Sequence, residues 1–148
     1  MDSNFKFPSD REKMDYMTCR EVLGGEAFMR IWDLPVSVLC NNHLLGEHHE
    51  LHTIWSVVSN GQERGWARHP ETKRWKGKLS ALFRRHESEV IEMDHRGFQH
   101  LSPLIPPILD CMEQDVLIDS IHRQEALLYN KPCNCKKNII VEGKYYGF

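Results

Sequence analysis

Between His43 and His52 the chain reads HLLGEHHELH, with four histidines and two glutamates in ten residues. Side chains of these types can ligate a metal, move protons in catalysis, or line a solvated helical face. His48 and His52 stand four residues apart, a spacing that lets two imidazoles on one helix face share a zinc ion. The zincin pattern needs a glutamate directly after the first histidine, and here His49 follows His48. A third ligand could come from His69, His86 or Glu47, and nothing in the spacing selects one. The pair is therefore read as an exposed helical face, and no metal ligand or cofactor is assigned. On a helix turning roughly 100° per residue, Leu44, Leu51, Trp55 and Val58 form an apolar stripe. His43, Glu47, Glu50 and Ile54 share one neighbouring strip, His48 and His52 lie on the other flank, and His49 points away. Glu50 falls at the stripe's edge, where a carboxylate is half-buried with its stem on apolar surface.

A second chemical feature is basic. From Gln62 to Arg85 the sequence is QERGWARHPETKRWKGKLSALFRR, in which eight lysines and arginines meet only Glu63 and Glu71, with Trp66 and Trp75 interleaved. Such a run is either a solvated loop and helix start or a patch that tracks a phosphate backbone. The net charge of -2 argues weakly against nucleic acid as a whole-molecule property. The five cysteines are odd in number and scattered, which fits a reducing, cytoplasmic setting better than a disulfide framework. Cys133 and Cys135 form a C-x-C, but no second cysteine pair follows to complete a zinc set. No apolar run is long enough for a bilayer, and the first residues lack the apolar core of a signal peptide.

These residues need elements to hold them. Residues 1–28 show little periodicity and read as an N-terminal extension, followed by one domain over 29–148. Pro35, with Asp33 nearby, suits the start of a first helix running to about Val58 and stopped by Asn60-Gly61. Leu79, Leu82, Phe83, His86, Val90 and Met93 draw one stripe on a second helix, with Gly97 at its C-terminal cap. The stretch SPLIPPI reads as an extended crossing loop. A third helix is expected over about Gln114–Tyr129, with Leu117, Ile118, Ile121 and Leu128 inward and Pro132 beyond it. The tail from Cys133 to Phe148 has no helical pattern. The expected fold is all-α: a compact three-helix single domain with long loops and an irregular aromatic tail.

The stretch Met29 to Leu51, MRIWDLPVSVLCNNHLLGEHHEL, resembles the start of the pyrimidine dimer DNA glycosylases of the phage-type endonuclease V family. The shared features are Arg30-Ile31, His43-Leu44 and the Glu47-x-x-Glu50-Leu51 block. Two further blocks match in order: Arg96-Gly97-Phe98 closing the second helix, and Lys144-Tyr145-Tyr146-Gly147 in the tail. The resemblance implies cleavage of the glycosidic bond at a pyrimidine dimer, then strand scission at the abasic site, with double-stranded DNA as partner. It also implies that the nucleophile is the α-amine of the mature N-terminal residue, which alignment puts at Met29, and that the catalytic glutamate is Glu50. An α-amine has a pKa of about 7.7–8.0, so a useful fraction is neutral at pH 7 and can form a Schiff base.

On this resemblance Arg30, Asn42, His43 and Glu47 are expected to bind DNA, with Arg30 and His43 beside the catalytic pair. Arg64, Arg68, Lys73, Arg74, Lys78, Lys144, Tyr145 and Tyr146 are expected to bind DNA. Because Met29 nitrogen is an amide in the full chain, the mature start is expected at Met29. The sequence departs from the phage members at His49 and Thr53, where they carry arginines, and at Glu142-Gly143, where they carry a tryptophan-tyrosine pair. A monomer is expected, with no membrane association. The alternatives are a non-catalytic DNA-binding module of the same fold, and a zinc-dependent hydrolase using His48 and His52.

Overall fold

The computed structural model describes residues 29–107 and 110–141, and the side chains of these except residues 140 and 141. Among them the chain is helical and contains no strand. Five α-helices occur in order: α1 Asn41–Ser59, α2 Pro70–Lys73, α3 Leu79–His95, α4 Ile121–Tyr129 and α5 Cys135–Val141. Single 3-10 turns lie at Val36–Val38 and Gly65–Arg68. None of the described helices is long and apolar enough to cross a membrane. Within the stretch expected to form one domain, two compact units are distinguished. Of the described residues, one unit holds Met29–Ile31 and Glu47–Ile118, and the other holds Trp32–Gly46 and the residues from Asp119 onward.

The ends of α1 and α3 follow from glycine chemistry. After α1, Gly61 takes φ +64, its N–H reaches Val58 O, and Gln62 N–H reaches Val57 O. After α3, Gly97 takes φ +87, with Gly97 N–H on Asp94 O and Phe98 N–H on Met93 O. Both are Schellman closures, which need a left-handed residue that glycine supplies without a Cβ clash.

The helix starts differ from expectation. Pro35 opens only the three-residue turn Val36–Val38, and Leu39 is extended at ψ 136. Two β-branched valines favour leaving the helix there, and α1 begins afresh when Leu44 N–H bonds Cys40 O at 2.8 Å. The third helix starts at Ile121, not near Gln114, because Ser120 caps it by accepting from Arg123 N–H at 3.1 Å. Upstream, Gln114 is held in a non-helical tie, its amide donating to Arg74 O and its carbonyl accepting from Lys78 Nζ. Val116, Leu117, Ile118 and Ile121 are exposed as a result, and of the expected inward set only Leu128 is fully buried. The tail is not irregular at its beginning, since Cys135–Val141 forms α5.

In the first unit Met29, Ile31, Leu51, Ile54, Trp75, Ala81, Leu82 and Leu104 make one core, flanked by Trp55, Val58, Leu79 and Phe83. In the second unit α4 packs on α5, and α5 on the Val36–Val38 turn, where Asn138 Nδ2 donates to Val38 O at 3.1 Å. Gln124 ties α4 to the entry segment, accepting from Asp33 N–H at 2.8 Å and donating to Asp33 Oδ2 at 2.9 Å.

Candidate functional site

Met29 is 3% exposed. Its side chain sits in the core cluster that contains Leu51, and Thr72 Oγ1 donates to its sulfur at 3.3 Å. Two residues on, Ile31 is buried and its carbonyl accepts from Arg74 Nη2 at 2.8 Å. Position 29 is therefore anchored through its own side chain and through the backbone two residues later. Glu50, the residue before Leu51 on α1, is half-buried, as its place at the edge of the apolar stripe predicts. Arg30 and Asn42 are half-buried.

Glu47 points into the first unit and is 2% exposed. Arg85 of α3 meets it with both arms, Nε to Oε2 at 2.7 Å and Nη2 to Oε1 at 2.9 Å. Burial pushes the Glu47 carboxyl well above the usual range; Arg85 opposes this and the neighbouring Glu89 adds to it. Burial likewise raises Glu89 to about 7, against the pull of its contact with Glu47 and the charge of Arg85.

The expectation of an exposed His48/His52 face fails. His48 is 0% and His52 5% exposed, because α3 brings His86 and the segment after Gly97 brings His100 against them. His48 Nδ1 meets Glu89 Oε1 at 2.8 Å, and His48 Nε2 lies 3.1 Å from His52 Nε2. His86 is fully buried; neither ring nitrogen makes a hydrogen bond of ordinary geometry, and Glu87 Oε1 stands 3.7 Å from Nδ1. Burial, then the neighbouring His48, His52 and His100, drive its pKa down to about 3, with Ser102 backbone opposing slightly. One ligand atom from each of the four rings falls within 4.8 Å of the others. His69, once a possible third ligand, instead caps α2, its Nδ1 accepting from Glu71 N–H at 3.1 Å.

In the second unit His43 is buried among sulfurs. Its Nδ1 lies 3.2 Å from Cys40 Sγ and 3.3 Å from Cys135 Sγ, and Cys133 completes a set of four within 4.8 Å. Burial alone would lower the His43 pKa, but contacts with Cys133 and Cys40 raise it to about 9. Contacts with Cys133 and Cys40, then burial, push the Cys135 thiol far above its ordinary value.

Residues 29–106, just over half of the chain, match the family model for pyrimidine dimer DNA glycosylase. This chain belongs to the pyrimidine dimer DNA glycosylase family. No curated protein and no solved structure gives a match.

The glycosylase-family stretch opens at Met29 and contains Arg30, Asn42, His43, Glu47, Glu50 and all four clustered histidines. The basic residues divide sharply. Arg64, Arg68 and Lys73 are exposed, as a phosphate-binding surface requires. Arg74 is buried, its guanidinium taken up by Glu71, Ile31 O and Val116 O, while Trp75 Nε1 donates to the same Glu71 oxygen. Lys78 is 8% exposed and donates to Gln114 and Asp115. Both were expected at DNA; here their cations are spent inside the protein, because Glu71 and the Gln114 segment fold back over them. Lys144, Tyr145 and Tyr146 lie outside the described residues. Glu89, His100, Cys40 and the Cys133/Cys135 pair were missed as partners. The C-x-C of Cys133 and Cys135 was noted without its partner; the C-x-x-H spacing of Cys40 and His43 was the further sequence signal for the thiol set.

Proposed function

We propose that the protein is a DNA glycosylase with abasic-site lyase activity, acting on pyrimidine dimers or a related lesion through the α-amine of a chain that starts at Met29. The observation that carries this reading is the family match, which begins at Met29 and includes Glu50. The anchoring of Met29 in the core shared with Leu51, next to Glu50, supports it. In this reading the neutral amine attacks sugar C1′, the C1′–base bond breaks, and the base leaves with a proton. The furanose then opens, C1′–O4′ breaking as O4′ takes up a proton, and the iminium so formed acidifies C2′; loss of that proton expels the 3′ phosphate by β-elimination. Glu50 stabilises the cationic sugar and then moves the C2′ proton. The target nucleotide must leave the stack for the amine to reach it. Exposed Arg64, Arg68 and Lys73 hold the backbone, and the protein acts as a monomer.

The test is borohydride trapping of the Met29-start form on abasic duplex DNA, alongside nicking of ultraviolet-irradiated plasmid. A covalent adduct that disappears when the N-terminus is acetylated supports the amine. N-terminal sequencing of protein from the native gene tests the start site; an active mature chain beginning at Met1 would require another nucleophile. One observation favours a second reading, a DNA-binding module without cleavage. At the positions of the family arginines stand His49 and Thr53, and the Thr53 hydroxyl donates back to His49 O at 3.3 Å. Binding of duplex without any trapped adduct would favour the module.

A further inference from the structure

We propose that His48, His52, His86 and His100 hold a zinc-class divalent cation in a closed, four-imidazole site that fixes the turn of α1 carrying Glu50. Three separate parts of the first unit deliver these rings: α1 gives two at i, i+4, α3 gives one, and the segment after Gly97 gives the fourth. Ring centroids lie 4.6 Å apart for His48–His52, 4.9 Å for His48–His86 and 5.1 Å for His86–His100. Two nitrogens bound tetrahedrally to one zinc at 2.0–2.1 Å stand about 3.3 Å apart; His48 Nε2 and His52 Nε2 are at 3.1 Å. The Glu89 carboxylate on His48 Nδ1 is the outer partner that metal-ligating histidines use to fix their tautomer, with Nε2 turned toward His52.

His86 supplies an independent observation. A buried polar group without a hydrogen bond is destabilising, and at 0% exposure neither His86 nitrogen makes one of ordinary geometry, Glu87 Oε1 standing off at 3.7 Å from Nδ1. Coordination would satisfy one of these nitrogens. Four protein ligands leave no open position for a water, so the ion is structural and not the centre of a zinc hydrolase. It would staple α1 to α3 on either side of Glu50, since His48 and His52 flank that residue.

A second site is carried independently by Cys40, His43, Cys133 and Cys135 in the other unit. C-x-x-H at the start of α1 meets C-x-C at the start of α5, and three sulfurs with one nitrogen are a ligand set suited to structural zinc. Cys40 N–H donates to Cys135 Sγ at 3.0 Å across 95 residues of sequence, so the two ligand pairs are already held together by the backbone. Neither site depends on the glycosylase reading.

The full chain, expressed with zinc and desalted, is assayed by elemental mass analysis and zinc-edge X-ray absorption. Two zinc ions per chain are expected, with an averaged first shell of about five nitrogens to three sulfurs, at about 2.0–2.1 Å and 2.3 Å. His86→Asn should leave one ion in a sulfur-rich shell, and Cys135→Ser one ion in an all-nitrogen shell. Wild type alone decides the matter if a variant does not fold. One ion with sulfur ligands overturns the histidine site, and one with nitrogen only overturns the thiol site. Cysteines recovered as disulfides also overturn the thiol site. Absence of any stoichiometric transition metal after metal-supplemented expression overturns both.

Discussion

Glu47 offers the clearest separation between a residue that touches DNA and one that holds the helix in place. It occupies the first glutamate of the family-like Glu-x-x-Glu block, yet its carboxylate is fully enclosed and gripped by Arg85, whose side chain is 15% exposed. Arg85→Met keeps the aliphatic stem and removes the guanidinium. Glu47 then shares a closed space with Glu89, whose Oε2 lies 3.8 Å from Arg85 Nε in the intact protein. Removing one partner of a buried pair costs about 3–5 kcal/mol, because the remaining charge has lost its compensation. At roughly 3 °C per kcal/mol for a chain of this size, the midpoint should fall by about 10–15 °C.

Glu47→Gln should cost less, about 1–3 kcal/mol, because Arg85 retains a neutral acceptor and partial access to water. The double variant Glu47→Gln/Arg85→Met should recover part of the Arg85→Met loss, since the charge left behind is gone; the cycle reads the coupling directly. The assay is thermal and urea unfolding by circular dichroism. Duplex DNA affinity is measured well below every midpoint. Glu47→Gln is expected to leave that affinity within twofold. A Glu47→Gln protein of unchanged stability that has lost DNA binding would refute this reasoning, as would an Arg85→Met cost below about 1 kcal/mol.

Glu50→Gln should reduce nicking of irradiated plasmid by about 10²–10⁴-fold with little change in melting temperature, which follows from an acid–base role at a half-buried position; equal nicking removes Glu50 from the mechanism. Replacing Arg64, Arg68 and Lys73 together by Ala should flatten the salt dependence of DNA affinity by about 2–3 in log–log slope without loss of stability. Arg74→Met should do the reverse, lowering stability by about 3–5 kcal/mol and leaving the salt slope alone. His69 supplies a pH test. Burial lowers its pKa below the ordinary 6.5, so the unfolded chain binds the proton first and this contribution to stability is lost as pH falls below that value. Protonation also removes the Nδ1 lone pair that caps α2. His69→Asn keeps a capping side chain, about 1 kcal/mol, and should match wild type at pH 8 while losing less stability by pH 5.5; parallel pH profiles would count against the cap.

What was legible in the sequence was local. Asn60-Gly61 and Gly97 announce helix ends because a left-handed closure depends on one residue's own φ. The stripe on α3 is readable because burial repeats with the helix. The start of α1 is misread because Pro35 permits any helical turn, and two valines then favour leaving it. The start of α4 is misread because Gln114 looks like a helix former until Arg74 and Lys78 claim its amide. The helical wheel correctly pairs His48 with His52 and sets Glu47 on a strip with Ile54, both of which are buried. It cannot say what packs on each flank, and that is what separates a solvated histidine from an enclosed one. His86 and His100 lie between 34 and 52 positions from His48 and His52, with no motif to connect them. Lys78 and Arg74 show the same limit for charge: a basic run records composition, and only the fold says which cations face outward.

α1 concentrates this chemistry because its residues up to Gly46 belong to one unit and those from Glu47 to the other. Each proposed ion then lies wholly within one unit, with no shared ligand. Additivity holds for sites without common partners, so loss of the thiol site should leave the histidine ion in place, and the reverse. The two sites also stand differently toward the family. All four histidines fall inside the matched stretch, whereas Cys133 and Cys135 fall beyond residue 106. The histidine site is thus built entirely from the part of the chain that defines the glycosylase family, around the very turn that carries Glu50. The thiol site needs a segment the family model does not reach. Metal at the first site bears on how the turn carrying Glu50 is held; metal at the second bears on how the chain beyond the family stretch, from α4 through α5, is fastened to the start of α1.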